Sequence, residues 1–451
     1  MQSIPALVQV LVIFMAVVVA TARKLHLGVA AAMGGIALAL WRGLSPVTVA
    51  GLTLAELINP DTVLLVLLMA AIMAFSAAMK RSGIMDSLSR SLKALAPSPR
   101  VAMALAPMLI GTLPMPGGAI LSAPLVDAMD PERIRKPAVL SAANYWFRHI
   151  LELVWPLYPS FILTASLSGL SAGRLSLLNM YALPSLFILG MVFILPEKRL
   201  RSARLSGVAA KGIVDDGAPP VKMGREPIRV RFAAFASSVT PLALVLGTYV
   251  VLDAVWRLLS PSLGLPLTSA ALLGRFGPIF IGLAAGCVYI ALGKTGIAAF
   301  KGSVGMSTLK LIAVIVGIRV FSRLLGAAGV AEASALELSK AGIPTIVAIA
   351  ALPFIAGLVT GVGFGYVGLA LPIVLGLAPI GGTLPREAAI VLAGAFGFSG
   401  MMLSPLHVCM VVSSEHFGVG LAGTIRRFAI PLVAFILVAL GYVTLLIAYA
   451  R

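Results

Sequence analysis

Leu113-Pro114-Met115-Pro116-Gly117-Gly118 breaks an apolar run that extends from residue 101 to 128, and Thr360-Gly361-Val362-Gly363-Phe364-Gly365 breaks a second run from 344 to 376. Two readings compete at each place: a single kinked span, or a re-entrant hairpin that enters the membrane and returns on the same side. Broken backbone at membrane depth survives only where protein or a water-filled cavity satisfies its polar groups. Charge placement chooses between them. With hairpins, one face collects Arg23, Lys24, the bases from Lys80 to Arg100, Arg133 to Lys136, the central loop from Glu197 to Arg231, and then Lys294, Lys301, Lys310, Arg426 and Arg427. The opposite face keeps scattered bases such as Arg42, Arg174, Arg257, Lys340 and Arg386. Cytoplasmic loops carry the excess of Lys and Arg, so this asymmetry selects hairpins.

The two broken runs belong to a longer internal repeat. Phe75-Ser76 recurs as Phe321-Ser322, Gly83 as Gly329, Pro107 as Pro353, Gly111 as Gly357 and Gly117 as Gly363, always 246 residues later. After a three-residue slip, Pro156-Leu157 recurs as Pro405-Leu406. Duplicated halves with Pro and Gly breaks at corresponding places are the pattern of a transporter whose substrate site lies between the halves.

Composition sets the class. Hydrophobic residues make up 60% of the 451 and charged residues 11%, against about 25% charged in a soluble domain. The expected fold is therefore an all-α polytopic membrane protein. Spans are expected at about 5–22, 27–41, 61–79, 137–163 and 177–195 in the first half, and at 232–252, 273–292, 309–325, 387–413 and 427–450 in the second. The first run, Pro5–Ala22, lacks a preceding basic region and a clear cleavage site, and reads as a retained span. Five spans and one hairpin per half is an odd number of crossings, so the second repeat (232–451) is inverted relative to the first (1–195). Both chain ends then lie outside, and residues 196–231 form a basic cytoplasmic linker. The net charge of +18 resides in loops that meet anionic lipid headgroups and implies no nucleic acid. Cys287 and Cys409 fall within apolar segments and read as buried structural residues.

The most polar stretch inside a span is Asn144-Tyr145-Trp146-Phe147-Arg148-His149-Ile150-Leu151-Glu152. Asn144, Arg148 and Glu152 are spaced four apart, so one helix face presents all three. Ten residues beyond Ala138, at a rise of ~1.5 Å, Arg148 lies about 15 Å deep. A guanidinium there must face protein or water. It either pairs with Glu152 to hold helices together, or binds an anionic group through two parallel hydrogen bonds. In the second reading Glu152 balances that charge or takes a proton. The matching stretch, Ala393 to Met401, sets Gly397 opposite Arg148 and contains Ser399, so one half supplies charge and the other room and backbone. The substrate-binding set is Asn144, Arg148, Pro116, Gly117, Gly118, Gly361, Gly363, Gly397, Ser399 and Arg319.

Both of these spans break again, at Trp155-Pro156-Leu157-Tyr158-Pro159 and at Ser404-Pro405-Leu406-His407. Proline frees helix carbonyls, and such ends either kink a span or coordinate Na⁺ or a proton-linked water. Glu152, His149, Ser404 and His407 are the candidates for ion coupling, although a lone histidine in a span is more often a packed, hydrogen-bonded residue than a proton relay. No GxxxxGK[ST] loop, HExxH motif or Cys/His cluster occurs in the sequence, so no cofactor, nucleotide or metal is expected, and an intramembrane enzyme built from Glu152, His149 and Ser404 is the weakest reading.

Thr112-Leu113-Pro114-Met115-Pro116-Gly117-Gly118-Ala119, Asn144-Tyr145-Trp146-Phe147-Arg148-His149 and Ser404-Pro405-Leu406-His407-Val408-Cys409 together resemble a prokaryotic membrane family, domain of unknown function 401, grouped with the ion transporter superfamily. Pro353-Phe354 with Gly361-Val362-Gly363-Phe364 is more weakly similar to gluconate permeases. The resemblance implies inverted repeats, two hairpins, two broken helices and Na⁺- or H⁺-coupled carriage of anions, often by a homodimer, in the cytoplasmic (inner) membrane. No Ser-Asn-Thr triplet stands at either hairpin tip, so the Na⁺ sites of the dicarboxylate branch do not transfer. The leading expectation is a cation-coupled secondary transporter for a small organic anion, a carboxylate; the alternative is an ion antiporter or channel without organic substrate.

Overall fold

The computed structural model describes residues 4–113, 118–130, 134–196, 227–378 and 384–450. Every regular element among them is a helix. The first half contains α1 (Ala6–Ala22), α2 (Leu27–Trp41), α3 (Pro46–Leu57), α4 (Pro60–Arg81), α5 (Ile84–Leu95), α6 (Pro99–Gly111), α7 (Ala119–Ala128), α8 (Pro137–His149), α9 (Pro159–Ser168), α10 (Ala172–Asn179) and α11 (Ala182–Leu189). The second half contains α12 (Ile228–Leu259), α13 (Leu267–Ala291), α14 (Met306–Ala327), α15 (Val330–Lys340), α16 (Thr345–Thr360), α17 (Gly363–Leu377), α18 (Arg386–Leu403), α19 (Val408–His416) and α20 (Leu421–Tyr449). Most of the expected linker, residues 197–226, lies outside the described residues, as do Pro114, Met115, Pro116 and Gly117 at the first hairpin tip.

Prolines start many of these helices. Pro46, Pro60, Pro99, Pro137 and Pro159 each occupy a first-turn position, where the missing N–H is no loss and φ is already helical. The starts of α4, α5 and α6 precede those of α14, α15 and α16 by 246 residues, and the starts of α8, α9 and α10 precede those of α18, α19 and α20 by 249. The same packing recurs with them. A side chain at Gly111 would strike the Arg148 carbonyl, and one at Gly357 would strike the Gly397 carbonyl.

Where ten full spans were expected, five helices among the described residues are long and apolar enough to cross a membrane: Pro60–Arg81, Ile228–Leu263, Thr268–Ala291, Arg386–His416 and Leu421–Tyr449. Four of the other five depart for identifiable reasons. The runs at α1 and α2 give only 17 and 15 helical residues, short of the ~20 that span the hydrocarbon layer. α14 has 22 residues but carries Lys310, Arg319 and Arg323. The run 137–163 divides into α8 and α9, and α10 turns from α9 by 111°.

Each broken apolar run forms two helices whose arms pack together, α6 on α7 and α16 on α17. The second arm of each pair also packs against the later half of a broken helix from the other half of the chain: α17 on α9, and α7 on α19. The two halves are thereby interlocked around the breaks. These breaks place the candidate site.

Candidate functional site

α8 ends at His149, and the chain runs through turns from Ile150 to Tyr158 before α9 begins. Pro156 cannot donate to the Glu152 carbonyl and its ring crowds that carbonyl, while Trp155, preceding it, is pushed from helical geometry. Glu152 therefore lies in the turn. The expected single helix face for Asn144, Arg148 and Glu152 stops at Arg148. Tyr158 Oη donates to the Arg148 carbonyl at 3.2 Å, and Trp155 Nε1 donates to the Thr112 carbonyl at 2.8 Å. Both bonds satisfy carbonyls that a helix end would otherwise leave bare.

Other helix ends meet this break. The guanidinium of Arg148, which is 4% exposed, lies against Gly118 at the start of α7, so closely that a methyl there would collide with it. Glu152 Oε1 accepts from Ser160 Oγ at 3.2 Å, in the first turn of α9. The same carboxylate oxygen abuts Gly363, the first residue of α17, where again no methyl would fit. Two helix N-termini thus face one carboxylate, the sign that their dipoles favour. Gly361 ends α16 with φ +65°, a left-handed conformation open to glycine at little cost. That turn sets its backbone against the nitrogen of His407 and the hydroxyl of Ser404.

His149 and His407 meet edge to face, with Nε2 atoms 3.0 Å apart. His149 Nδ1 lies 2.7 Å from the Tyr145 carbonyl, which can only accept, so this nitrogen carries the proton. The donor atoms of His149, His407 and Cys409 all lie within 4.8 Å of one another. The sequence reading found no such Cys/His cluster because it forms in space: His407 and Cys409 stand two apart in the second half, and His149 comes from the first.

A cavity of about 510 Å³ joins these parts. Its inner wall includes Arg148, His149, Glu152, Tyr158, Ser160, Gly361, Gly363, His407 and Cys409. Its other end is formed by Thr21 and His26 at the α1–α2 turn and by Ser307 and Lys310 at the start of α14, where Ser307 and Lys310 are exposed.

Several expected site residues do not line this cavity. Asn144 is fully buried; its Nδ2 donates to Ser413 Oγ at 2.8 Å and to the Ala119 carbonyl at 3.4 Å, tying α8 to α19 and α7. Gly397 packs on the ring of Tyr366. Ser399 Oγ donates to the Ala395 carbonyl at 2.7 Å within its own helix. Ser404 Oγ accepts from the Leu406 N–H at 3.2 Å and so caps the second break. Pro116 and Gly117 lie outside the described residues.

Arg319 is placed elsewhere by its charge partners. It meets Glu56 at 2.8 Å and Asp61 at 3.2 Å, and its Nε donates to Thr62 Oγ1 at 2.9 Å. Asp61 is also held by Arg275 at 2.7 Å and by Ser166 Oγ at 2.9 Å. Desolvated carboxylates recruit the nearest guanidinium, so Arg319 serves this network and not the cavity. In turn, Cys409, Tyr158 and Ser160 were missed by sequence reasoning. Ser160 carried a usable signal, a hydroxyl directly after the proline that starts a helix at a break.

The family profile described as "Protein of unknown function (DUF401)" matches residues 6–209 and 272–447. None of the curated protein sequences compared matches the chain. Among solved structures, the YdaH transporter of Alcanivorax borkumensis is similar with a TM-score of 0.56 and 16% identity, over 85% of this chain and 84% of that one. MtrF of Neisseria gonorrhoeae, from a class of antimetabolite efflux pumps, gives 0.49 and 15% identity over 84% and 80%. The apolar helices make this a multi-pass membrane protein, and the likeness to YdaH shows that it shares the fold of a transporter. Because the family profile covers well over half of its length, the chain belongs to the DUF401 family.

Proposed function

We propose that the protein is a secondary active transporter for a small organic anion, a carboxylate, coupled to H⁺ or Na⁺ and working by alternating access between inverted repeats of the ion transporter superfamily type. The observation that carries this reading is a buried guanidinium, Arg148, on the wall of a 510 Å³ cavity where ends of broken helices from both halves converge. Arg148 binds the anionic group beside Gly118; Glu152, between the N-termini of α9 and α17, takes the coupling cation or proton, with His149 and His407 alongside. The matched helix starts at 246 and 249 residues and the reciprocal packing of α17 on α9 and α7 on α19 support two repeats related by inversion.

In the cytoplasmic (inner) membrane of a prokaryote, the positive-inside bias puts both termini outside and the central basic loop within. On that assignment the cavity mouth near Lys310 opens to the cytoplasm, and the Glu56–Asp61–Arg275–Arg319 network closes the outer side. Lipid headgroups and a second copy in a homodimer are the remaining partners of this reading. Purified protein in proteoliposomes should take up one of a panel of labelled mono-, di- and tricarboxylates, and Arg148→Ala should abolish that uptake. Full uptake by the variant would remove the assignment. The contact between His149 and His407 favours a second reading, an ion antiporter, for which ion flux without any organic solute is the mark.

A further inference from the structure

We infer that His149, His407 and Cys409 form a binding site for a borderline-soft divalent cation of the Zn²⁺ class, with one coordination position left open to the cavity. The donor set is two imidazoles and a thiol, the ligands that such cations select over hard ones. Tetrahedral Zn²⁺ with Zn–N of about 2.0 Å and Zn–S of about 2.3 Å separates its ligand atoms by roughly 3.3–3.6 Å. Here the two Nε2 atoms are 3.0 Å apart and all three donors lie within 4.8 Å, so small side-chain rotations would close the site.

Two further features point the same way. The Tyr145 carbonyl fixes the proton of His149 on Nδ1, which leaves Nε2 as a lone pair aimed at the other donors; a carbonyl behind a ligating histidine is the usual support of such a site. Finally, all three side chains line the cavity, which gives a cation a way in.

The neighbouring Arg148 opposes a dication. The Cys409 thiolate that forms on binding, with its proton released to solvent, and the Glu152 carboxylate offset that charge. Three protein ligands with an open fourth position set this arrangement apart from closed, four-ligand structural sites. The cation would also join α8 of one half to the α18–α19 break of the other. This inference rests on the donor geometry alone and holds for either transport reading.

The test uses the full chain, purified in detergent, stripped of metal and titrated with Co²⁺ as the optical probe. One equivalent should produce a thiolate-to-cobalt charge-transfer band together with intense four-coordinate ligand-field bands, and added Zn²⁺ should bleach both. Cys409→Ser, a nearly isosteric change, should remove the charge-transfer band, and His407→Ala should weaken Co²⁺ binding at least tenfold. Cys287→Ser should retain the wild-type spectrum. Absence of the band in the wild-type protein, or its persistence in Cys409→Ser, would overturn the inference.

Discussion

Gly363→Ala is the most discriminating single change at the site. The residue starts α17 with ordinary helical geometry, so alanine brings no backbone strain and favours the helix by up to about 1 kcal/mol. The new methyl, however, overlaps Glu152 Oε1 and lies 2.9 Å from Ser160 Cβ and Oγ. Both neighbours belong to the break that follows α8, and Glu152 is 5% exposed with little room to retreat. Relief requires the carboxylate to withdraw by about 1 Å, a displacement that at a working site costs on the order of a hundredfold in rate. The expected outcome is a folded protein whose melting temperature falls modestly, overpacking by about 1–3 kcal/mol being partly offset by the helix preference of alanine, with coupled uptake reduced about a hundredfold. Proteoliposome uptake measured beside thermal unfolding checks both halves of that statement. A second change sharpens it: Glu152→Asp shortens the side chain by one methylene, so the double variant should recover a large part of the lost rate. Wild-type uptake by Gly363→Ala, or no recovery in a well-folded double variant, would refute the placement of Glu152 in the transport cycle.

Gly118→Ala puts a methyl into the Arg148 guanidinium; it should lower anion affinity at least tenfold with little change in unfolding, as read by calorimetric titration and thermal melting. Arg319→Ala leaves Glu56, 3% exposed, with Thr62 as its remaining hydrogen-bond donor, and removal of one partner from a buried pair costs about 3 kcal/mol. That variant should unfold earlier yet bind solute normally, and weakened binding in a folded sample would return Arg319 to the cavity. Gly361→Ala forces a side chain into the left-handed region at φ +65°, a cost of about 1–2 kcal/mol, and also crowds the His407 nitrogen at 2.9 Å; a clear loss of thermal stability is expected.

Much of the scaffold was legible because its punctuation is local. Prolines that open α4, α6, α8 and α9 stand where an apolar run resumes, and Gly363, which admits the Glu152 carboxylate, recurs 246 residues after Gly117. Arg148 announced itself as a charge that hydrocarbon would not tolerate. What could not be read is whatever depends on distant partners. Arg319 looked available because Glu56 and Asp61 sit some 260 residues away on α3 and α4. The same holds for Cys409, whose imidazole neighbour His149 comes from the other half of the chain. Glu152 misled for a different reason: a spacing of four implies a shared face only while the helix continues, and Pro156 ends that condition early.

The central claim, that Arg148 holds the negative group of a solute, is tested most directly by equilibrium binding to the purified full-length protein. Isothermal titration with a panel of carboxylates should find at least one that saturates the wild type. Two charge-assisted hydrogen bonds contribute about 3 kcal/mol, or more than a hundredfold in Kd, so Arg148→Ala should lose the ligand by that factor and Arg148→Lys by less. A carboxylate bound equally well by wild type and Arg148→Ala would contradict the account.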